Sequence, residues 1–187
     1  MATKIYIDQG HNPRNPNAGA EGNGLREQDI VYDIGIRLAR ILRSRGLETR
    51  LSRPSPQTQL GTSNASSLAT RVNDANSWGA NYFVSLHTNA ASNPSVSGSE
   101  SYVYKRDSIA ESLAENILIQ LRNTTGLRNR GVFPRPSLYV LRKTRMPSVL
   151  VELGFITSPE DAALMRNDPE SFARGVANGI FAELGLL

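Results

Sequence analysis

Short apolar runs rich in β-branched and aromatic residues alternate along the chain with longer stretches whose apolar positions recur at helical spacing. Ile5 to Ile7 predicts a brief buried strand closing on Asp8-Gln9-Gly10-His11. Asn12 to Gly24, made largely of Asn, Pro, Gly and Ala, predicts a loop. A helix is expected to open at Gly24-Leu25-Arg26-Glu27 and run to Arg45, with Ile30, Ile34, Leu38, Ile41 and Leu42 on one stripe and Gly46 as its stop. Glu27 falls in its first turn, where a carboxylate suits the helix dipole. Leu47 to Leu51 reads as a strand and Ser52 to Ser67 as a long polar surface loop. Leu68, Val72 and Ala75 place a helix up to Trp78, and the run Tyr82 to Leu86 then predicts a buried strand ending on His87.

In the second half, Gly98 to Tyr104 sets Glu100, Tyr102 and Tyr104 against Ser101 and Val103, the pattern of a half-exposed strand suited to an antiparallel edge. Ser108 is placed to cap a helix with the stripe Ile109, Leu113, Ile117 and Leu121, ending at Gly126. Arg128 to Pro136 reads as a basic Gly/Pro loop, Leu138 to Leu141 as a short strand, and Ser148 to Val151 as a buried strand ending on Glu152. Helices are expected over 159–165 and 169–184, each with a proline near its start. The alternation predicts a single-domain α/β fold, with a mixed, mostly parallel sheet flanked by helices on both faces.

At 187 residues the chain suits one domain that buries a core without staples. The absence of cysteine excludes a disulfide framework, a thiolate nucleophile and a Cys-ligated metal. A formal net charge of +4, concentrated in arginines between Arg122 and Arg145, suits an acidic polymer such as a bacterial cell wall, an anionic lipid surface, or simply a solvated basic face. No nucleic-acid-binding motif or basic aromatic interleaving accompanies it, so no nucleic-acid partner is expected. No apolar run reaches the roughly 18 residues of a membrane span, and the strand pattern begins without an apolar signal segment. The expectation is a chain with no export signal, either a mature fragment of an exported parent or a protein released by another route.

The chain holds two histidines, His11 and His87, each just after a short apolar strand. A lone histidine in such a place is ordinarily a core residue bonded to backbone. Two imidazoles with a carboxylate, however, form a catalytic zinc set with one open position. A second carboxylate such as Glu152, directly after three aliphatic residues, then has a role in proton transfer. The residue types leave the metal site and the structural reading both open.

Four ordered blocks resemble one family: Ile7-Asp8-Gln9-Gly10-His11; Gly24-Leu25-Arg26-Glu27 opening a helix; Val84-Ser85-Leu86-His87-Thr88-Asn89-Ala90; and Pro147 to Ile156 around Glu152. They are similar to the motif blocks of zinc-dependent N-acetylmuramoyl-L-alanine amidases of the Amidase_3 type. Arg71 to Asn76, the Gly98 to Tyr102 strand and Asn129-Arg130-Gly131-Val132 support the likeness, which covers nearly the whole chain.

The resemblance implies that residues 1–187 form a single catalytic amidase domain holding one zinc ion through His11, Glu27 and His87, with Glu152 as catalytic carboxylate. The implied reaction is hydrolysis, by zinc-activated water, of the amide between the lactyl group of N-acetylmuramic acid and L-alanine in peptidoglycan, with Glu152 as general base and acid. It further implies a monomer acting on the cell wall. Asn89 and Arg130 are expected at the substrate, with Asn89 and Glu100 orienting other groups. Arg71 is expected to stabilise its helix and the neighbouring elements. A zinc peptidase or other zinc amidohydrolase on a related scaffold is the alternative, and a non-catalytic wall-binding module is disfavoured because all three ligands and Glu152 are present. Two departures from the family pattern stand out. His11 is followed by Asn12-Pro13 rather than another glycine, which alters the loop beside the metal. Only Lys105 to Asp107 separate Tyr104 from Ser108, where partner-controlled members carry an inhibitory helix, so a constitutively open site is expected.

Overall fold

The computed structural model describes residues 2–187, leaving Met1 outside the description. Strands β1 (Lys4–Gln9), β4 (Glu48–Leu51), β5 (Tyr82–Asn89), β6 (Ser99–Val103), β7 (Asn129–Pro134) and β8 (Ser148–Phe155) form one sheet in the order β4-β1-β5-β8-β6-β7. Strands β4, β1, β5 and β8 run parallel; β6 is antiparallel to β8 and parallel to β7. A second, two-stranded sheet pairs β2 (Glu21–Gly22) with β3 (Leu25–Arg26), closing the Asn12 to Gly24 loop immediately before α1 (Glu27–Ser44).

Helices α1, α3 (Ile109–Thr125) and α6 (Pro169–Glu183) cover one face, where Ile5, Ile7, Val84, Leu86, Val149 and Val151 meet Ile34, Leu38, Leu113, Ile117, Val176 and Ile180. The opposite face is covered over β1, β5 and β8 by α2 (Asn64–Trp78) and α4 (Tyr139–Lys143), which enclose Tyr6, Phe83 and Leu150. Helix α5 (Pro159–Asn167) follows β8. The mostly parallel sheet with helices on both faces agrees with the pattern of alternating elements. No helix among the described residues is long and apolar enough to cross a membrane.

Local signals explain most boundaries. Ser63 and Ser66 form a reciprocal capping box at α2, Ser108 accepts from the Glu111 N–H at α3, and Gly79 and Gly126 end those helices in left-handed backbone. Several expectations need correction. The Asn12 to Gly24 loop contains β2, which forms by pairing with β3, and the Ser52 to Ser67 loop gives way to α2 at Asn64, where Ser63 caps the helix. Leu138 to Leu141 is helical rather than extended, since a short apolar run fits either form and α4 packs its Val140 and Leu141 against the sheet. The basic loop at Arg128 contains β7, formed by pairing with β6 despite Gly131 and Pro134. Strand β6 is interior, between β8 and β7, and mostly buried, so it is not an edge. Strands β5 and β8 continue past His87 and Glu152 to Asn89 and Phe155, which places both site residues inside strands rather than at their ends.

Candidate metal centre

Three separate elements bring His11, Glu27 and His87 together: the turn after β1, the first residue of α1, and β5. The Glu27 Oε2 lies 3.2 Å from His11 Nε2 and its Oε1 lies 3.1 Å from His87 Nδ1, while the two rings meet edge to face with centroids 4.9 Å apart. One ligand atom from each residue falls within 4.8 Å of the others. Ligands at about 2.0–2.1 Å on a tetrahedral zinc stand roughly 3.3 Å apart, and three donor atoms already gathered within 4.8 Å come close to that spacing. Two nitrogens and one oxygen suit zinc chemically, and three protein ligands leave a fourth position free for reaction. The donor set therefore fits a zinc ion.

Backbone groups also hold the carboxylate. Thr88 N–H donates to Glu27 Oε1 and Ala20 N–H to Oε2, each at 2.9 Å. Burial pushes the Glu27 carboxyl up, but hydrogen bonds from His11 and His87 outweigh it and hold the group well below the usual carboxylate range. Two glycines supply the space. A Cβ at Gly10 would lie 2.5 Å from His87 Cε1 and 2.7 Å from the Leu86 carbonyl oxygen. One at Gly19 would lie 2.8 Å from Glu27 Oε2 and 3.0 Å from His11 Cδ2. The backbone thus packs directly against all three candidate ligands.

Position 11 is strained, with a φ of 64° in a non-glycine residue, a conformation costing on the order of 1–2 kcal/mol. Arg71 holds it there. Its guanidinium donates to the His11 carbonyl at 2.5 Å, to the Gln9 carbonyl at 2.6 Å and to Asp8 Oδ1 at 2.6 Å, and the Asp8–Arg71 pair is fully buried. Ser85 Oγ donates to the other Asp8 oxygen at 2.7 Å. Burial alone raises the Asp8 carboxyl, yet Arg71 and Ser85 bring it below its ordinary value. From sequence Arg71 was legible as a stabiliser of its helix and the neighbouring elements; that the neighbour is the His11 turn depends on a contact 60 positions away. Asn12, the departure after His11, is buried and ties the loop to itself and to Leu60 through hydrogen bonds at 2.9 Å.

Glu152 pairs across β8 with His87 on one side and Glu100 on the other, so the three side chains emerge on one face of the sheet in a row. The residue is half-buried, but its Oε2 is inaccessible and has no hydrogen-bond partner. Burial, then the negative charges of Glu27 and Glu100, push its carboxyl up to about 8. Such a group takes and gives protons near neutrality.

Asn89 and Arg130 converge on Glu100 instead of standing free. Asn89 Nδ2 donates to Glu100 Oε1 at 2.9 Å, Tyr102 OH to the same oxygen at 2.5 Å, and Arg130 Nε to Oε2 at 2.8 Å. Burial and the Glu100 bond push the Tyr102 phenol up to about 12, keeping it a donor. A cleft of about 140 Å³ opens beside His11 and His87, lined by Leu68, Leu138, Tyr139 and Leu150.

The sequence model of the N-acetylmuramoyl-L-alanine amidase family Amidase_3 matches residues 5–182. The chain is 35% identical over 182 residues to the N-acetylmuramoyl-L-alanine amidase CwlM of Bacillus licheniformis, covering 95% of this chain and 67% of that protein. It is also 35% identical to the sporulation-specific N-acetylmuramoyl-L-alanine amidase of Bacillus subtilis, covering 95% of this chain and 66% of the relative. The chain therefore spans about two thirds of the length of these curated relatives. Among solved structures, the CwlD amidase of Clostridioides difficile, determined in complex with the GerS lipoprotein, superposes with a TM-score of 0.90 at 26% identity, covering 99% of this chain and all of that one.

Proposed function

Because the chain belongs to the N-acetylmuramoyl-L-alanine amidase family of peptidoglycan hydrolases, we propose that it cleaves the amide between the lactyl group of N-acetylmuramic acid and the L-alanine of the stem peptide. The observation that carries this reading is the convergence of His11, Glu27 and His87 at metal-ligand spacing beside the half-buried Glu152. His11 Nε2, Glu27 and His87 Nδ1 would hold one zinc ion. Zinc in that place would supply Lewis acidity, polarising the scissile carbonyl and acidifying a water.

The chain's own groups do the rest. Glu152 accepts the proton of the attacking water on one carboxyl oxygen and delivers it to the leaving amine nitrogen, so the C–N bond breaks as a neutral amine departs. Thr88 and Ala20 N–H groups fix the Glu27 oxygens, which would orient the carboxylate as a ligand. Arg71 keeps His11 turned inward. Asn89 and Arg130 are read as the wall along which the substrate lies, with Glu100 fixing both. Residues 1–187 are read as one catalytic domain, and one copy as the working unit, since a single chain supplies every group named. Its place of action on this reading is the cell wall.

Zinc content and hydrolysis of purified peptidoglycan, measured on wild type and Glu152→Gln, test the assignment. The expected result is one zinc per chain in both proteins, with new L-alanine amino termini released by wild type and at least about a hundredfold more slowly by the variant. A metal-free wild type that stays active, or a fully active Glu152→Gln, refutes it. Simple peptides set beside sacculi separate this activity from peptidase action.

A further inference from the structure

Resting on the amidase reading, we propose that a groove at the start of β7 is a subsite for a carboxylate of the stem peptide, three to four residues beyond the scissile amide, with Arg128 as the recognising group. Across the sheet the His87–Glu152–Glu100 row continues to Arg130 through its bond to Glu100. The helices on this face cover β1, β5 and β8, while at the level of this row Asn89 and Arg130 are only half-buried. A substrate held at the triad thus has an open strip of sheet leading towards β7.

Arg130, at the end of the row, also lines a groove of about 440 Å³ together with Ser95, Val96, Ser97 and Arg128. Its lining carries two guanidinium groups and no carboxylate. Glu100, the acid adjoining it, already accepts from Asn89, Tyr102 and Arg130. Arg130 is committed as well, with Nε on Glu100, a second nitrogen 3.3 Å from the Ser97 carbonyl, and its guanidinium 5.1 Å from the Phe155 ring centroid. Arg128 is exposed, and among the described residues its side chain makes no hydrogen bond or ion pair. The charge left to meet a ligand is therefore that of Arg128.

The groove is also built in advance. Asp161 accepts from Ser97 Oγ at 2.6 Å, from the Gly98 N–H at 3.0 Å and from the Phe155 N–H at 2.8 Å, locking the loop wall to β8. A wall ordered before binding loses little freedom when a ligand enters. Position then selects the group. From β5 to β7 is three inter-strand steps of about 4.7–4.9 Å, or roughly 14 Å. An extended peptide advances about 3.3–3.6 Å per residue, so that span corresponds to about four residues, or three when the arginine reaches inward. Glycan hydroxyls carry no charge to complement the guanidinium; a stem carboxylate does.

The test uses two synthetic muramoyl-peptides identical except for a carboxylate or a carboxamide on the third or fourth stem residue. The kcat/KM ratio of acid to amide is measured on wild type, Arg128→Gln and Arg135→Gln. Arg135 lies on the same face, 5.1 Å from the Tyr102 ring, and outside the groove, so its variant removes equal charge from elsewhere. The expected wild-type preference is about threefold to tenfold for the acid, falling to near unity in Arg128→Gln and retained in Arg135→Gln. Equal hydrolysis of both substrates by wild type overturns the subsite and leaves the amidase reading standing. Equal loss of preference in the two arginine variants also overturns it, because a diffuse field then accounts for the effect. Hydrolysis of neither substrate refutes both readings.

Discussion

Arg71→Met removes the guanidinium from a buried pair while keeping most of the side-chain volume. In the native fold that group makes three short bonds, to Asp8 Oδ1 at 2.6 Å, the Gln9 carbonyl at 2.6 Å and the His11 carbonyl at 2.5 Å. Leaving one member of a buried ion pair unpaired costs about 3–5 kcal/mol. At roughly 2–4 °C per kcal/mol for a domain of this size, the expected loss of Tm is about 6–20 °C. The pH dependence changes sign with it. In wild type the Asp8 carboxyl is held below its ordinary value of 3.8, so its contribution is present above that pH and is lost as pH falls through the lowered value. Without Arg71, burial dominates and raises the carboxyl, so the variant loses stability as pH rises through the carboxylate range. Denaturant unfolding of the metal-free proteins between pH 4 and pH 8 reads both effects. Asp8→Asn in the same background is expected to recover much of the stability, by removing the stranded charge. Zinc affinity does not recover, because nothing then holds the His11 carbonyl. An Arg71→Met protein within about 1 kcal/mol of wild type, or one whose stability rises with pH, refutes the account of this pair.

Two further outcomes follow from the site. Gly10→Ala places a methyl group 2.5 Å from His87 Cε1 and 2.7 Å from the Leu86 carbonyl oxygen, so the His87 ring or the β1–β5 pairing has to shift; zinc affinity is expected to fall at least about tenfold in a competition titration. Burial pushes the Glu152 carboxyl from its ordinary value of 4.5 up to about 8, so in the metal-free protein its contribution to stability is fully present below pH 4.5 and is lost as pH rises through about 8. Glu152→Gln is expected to abolish that decline, a difference on the order of a few kcal/mol at pH 9 in chelator-treated samples; parallel pH profiles for the two proteins refute the assignment.

Local patterning was enough to locate the helices α1, α2, α3 and α6 and the strands β5 and β8, because each carries a long apolar stripe or a compact run of β-formers bounded by Gly, Ser or Pro. It also singled out His11, His87 and Glu152, as ionisable residues following short apolar strands, and Glu27 through the family resemblance of the block that opens α1. What it could not reach were features decided between distant segments. A four-residue apolar run at Leu138 is helix or strand according to what it packs against. Strand β7, despite Arg130, Gly131 and Pro134, exists because β6 offers it a partner, and that pairing moves β6 from the sheet edge to its interior. Arg71 became the brace of a strained histidine, and Asn89 and Arg130 met at Glu100, only once β1, β5, β6 and β7 lay side by side. Periodicity records which face of an element is buried; which charge meets which across the sheet is set by strand order and register, and these emerge only from tertiary packing.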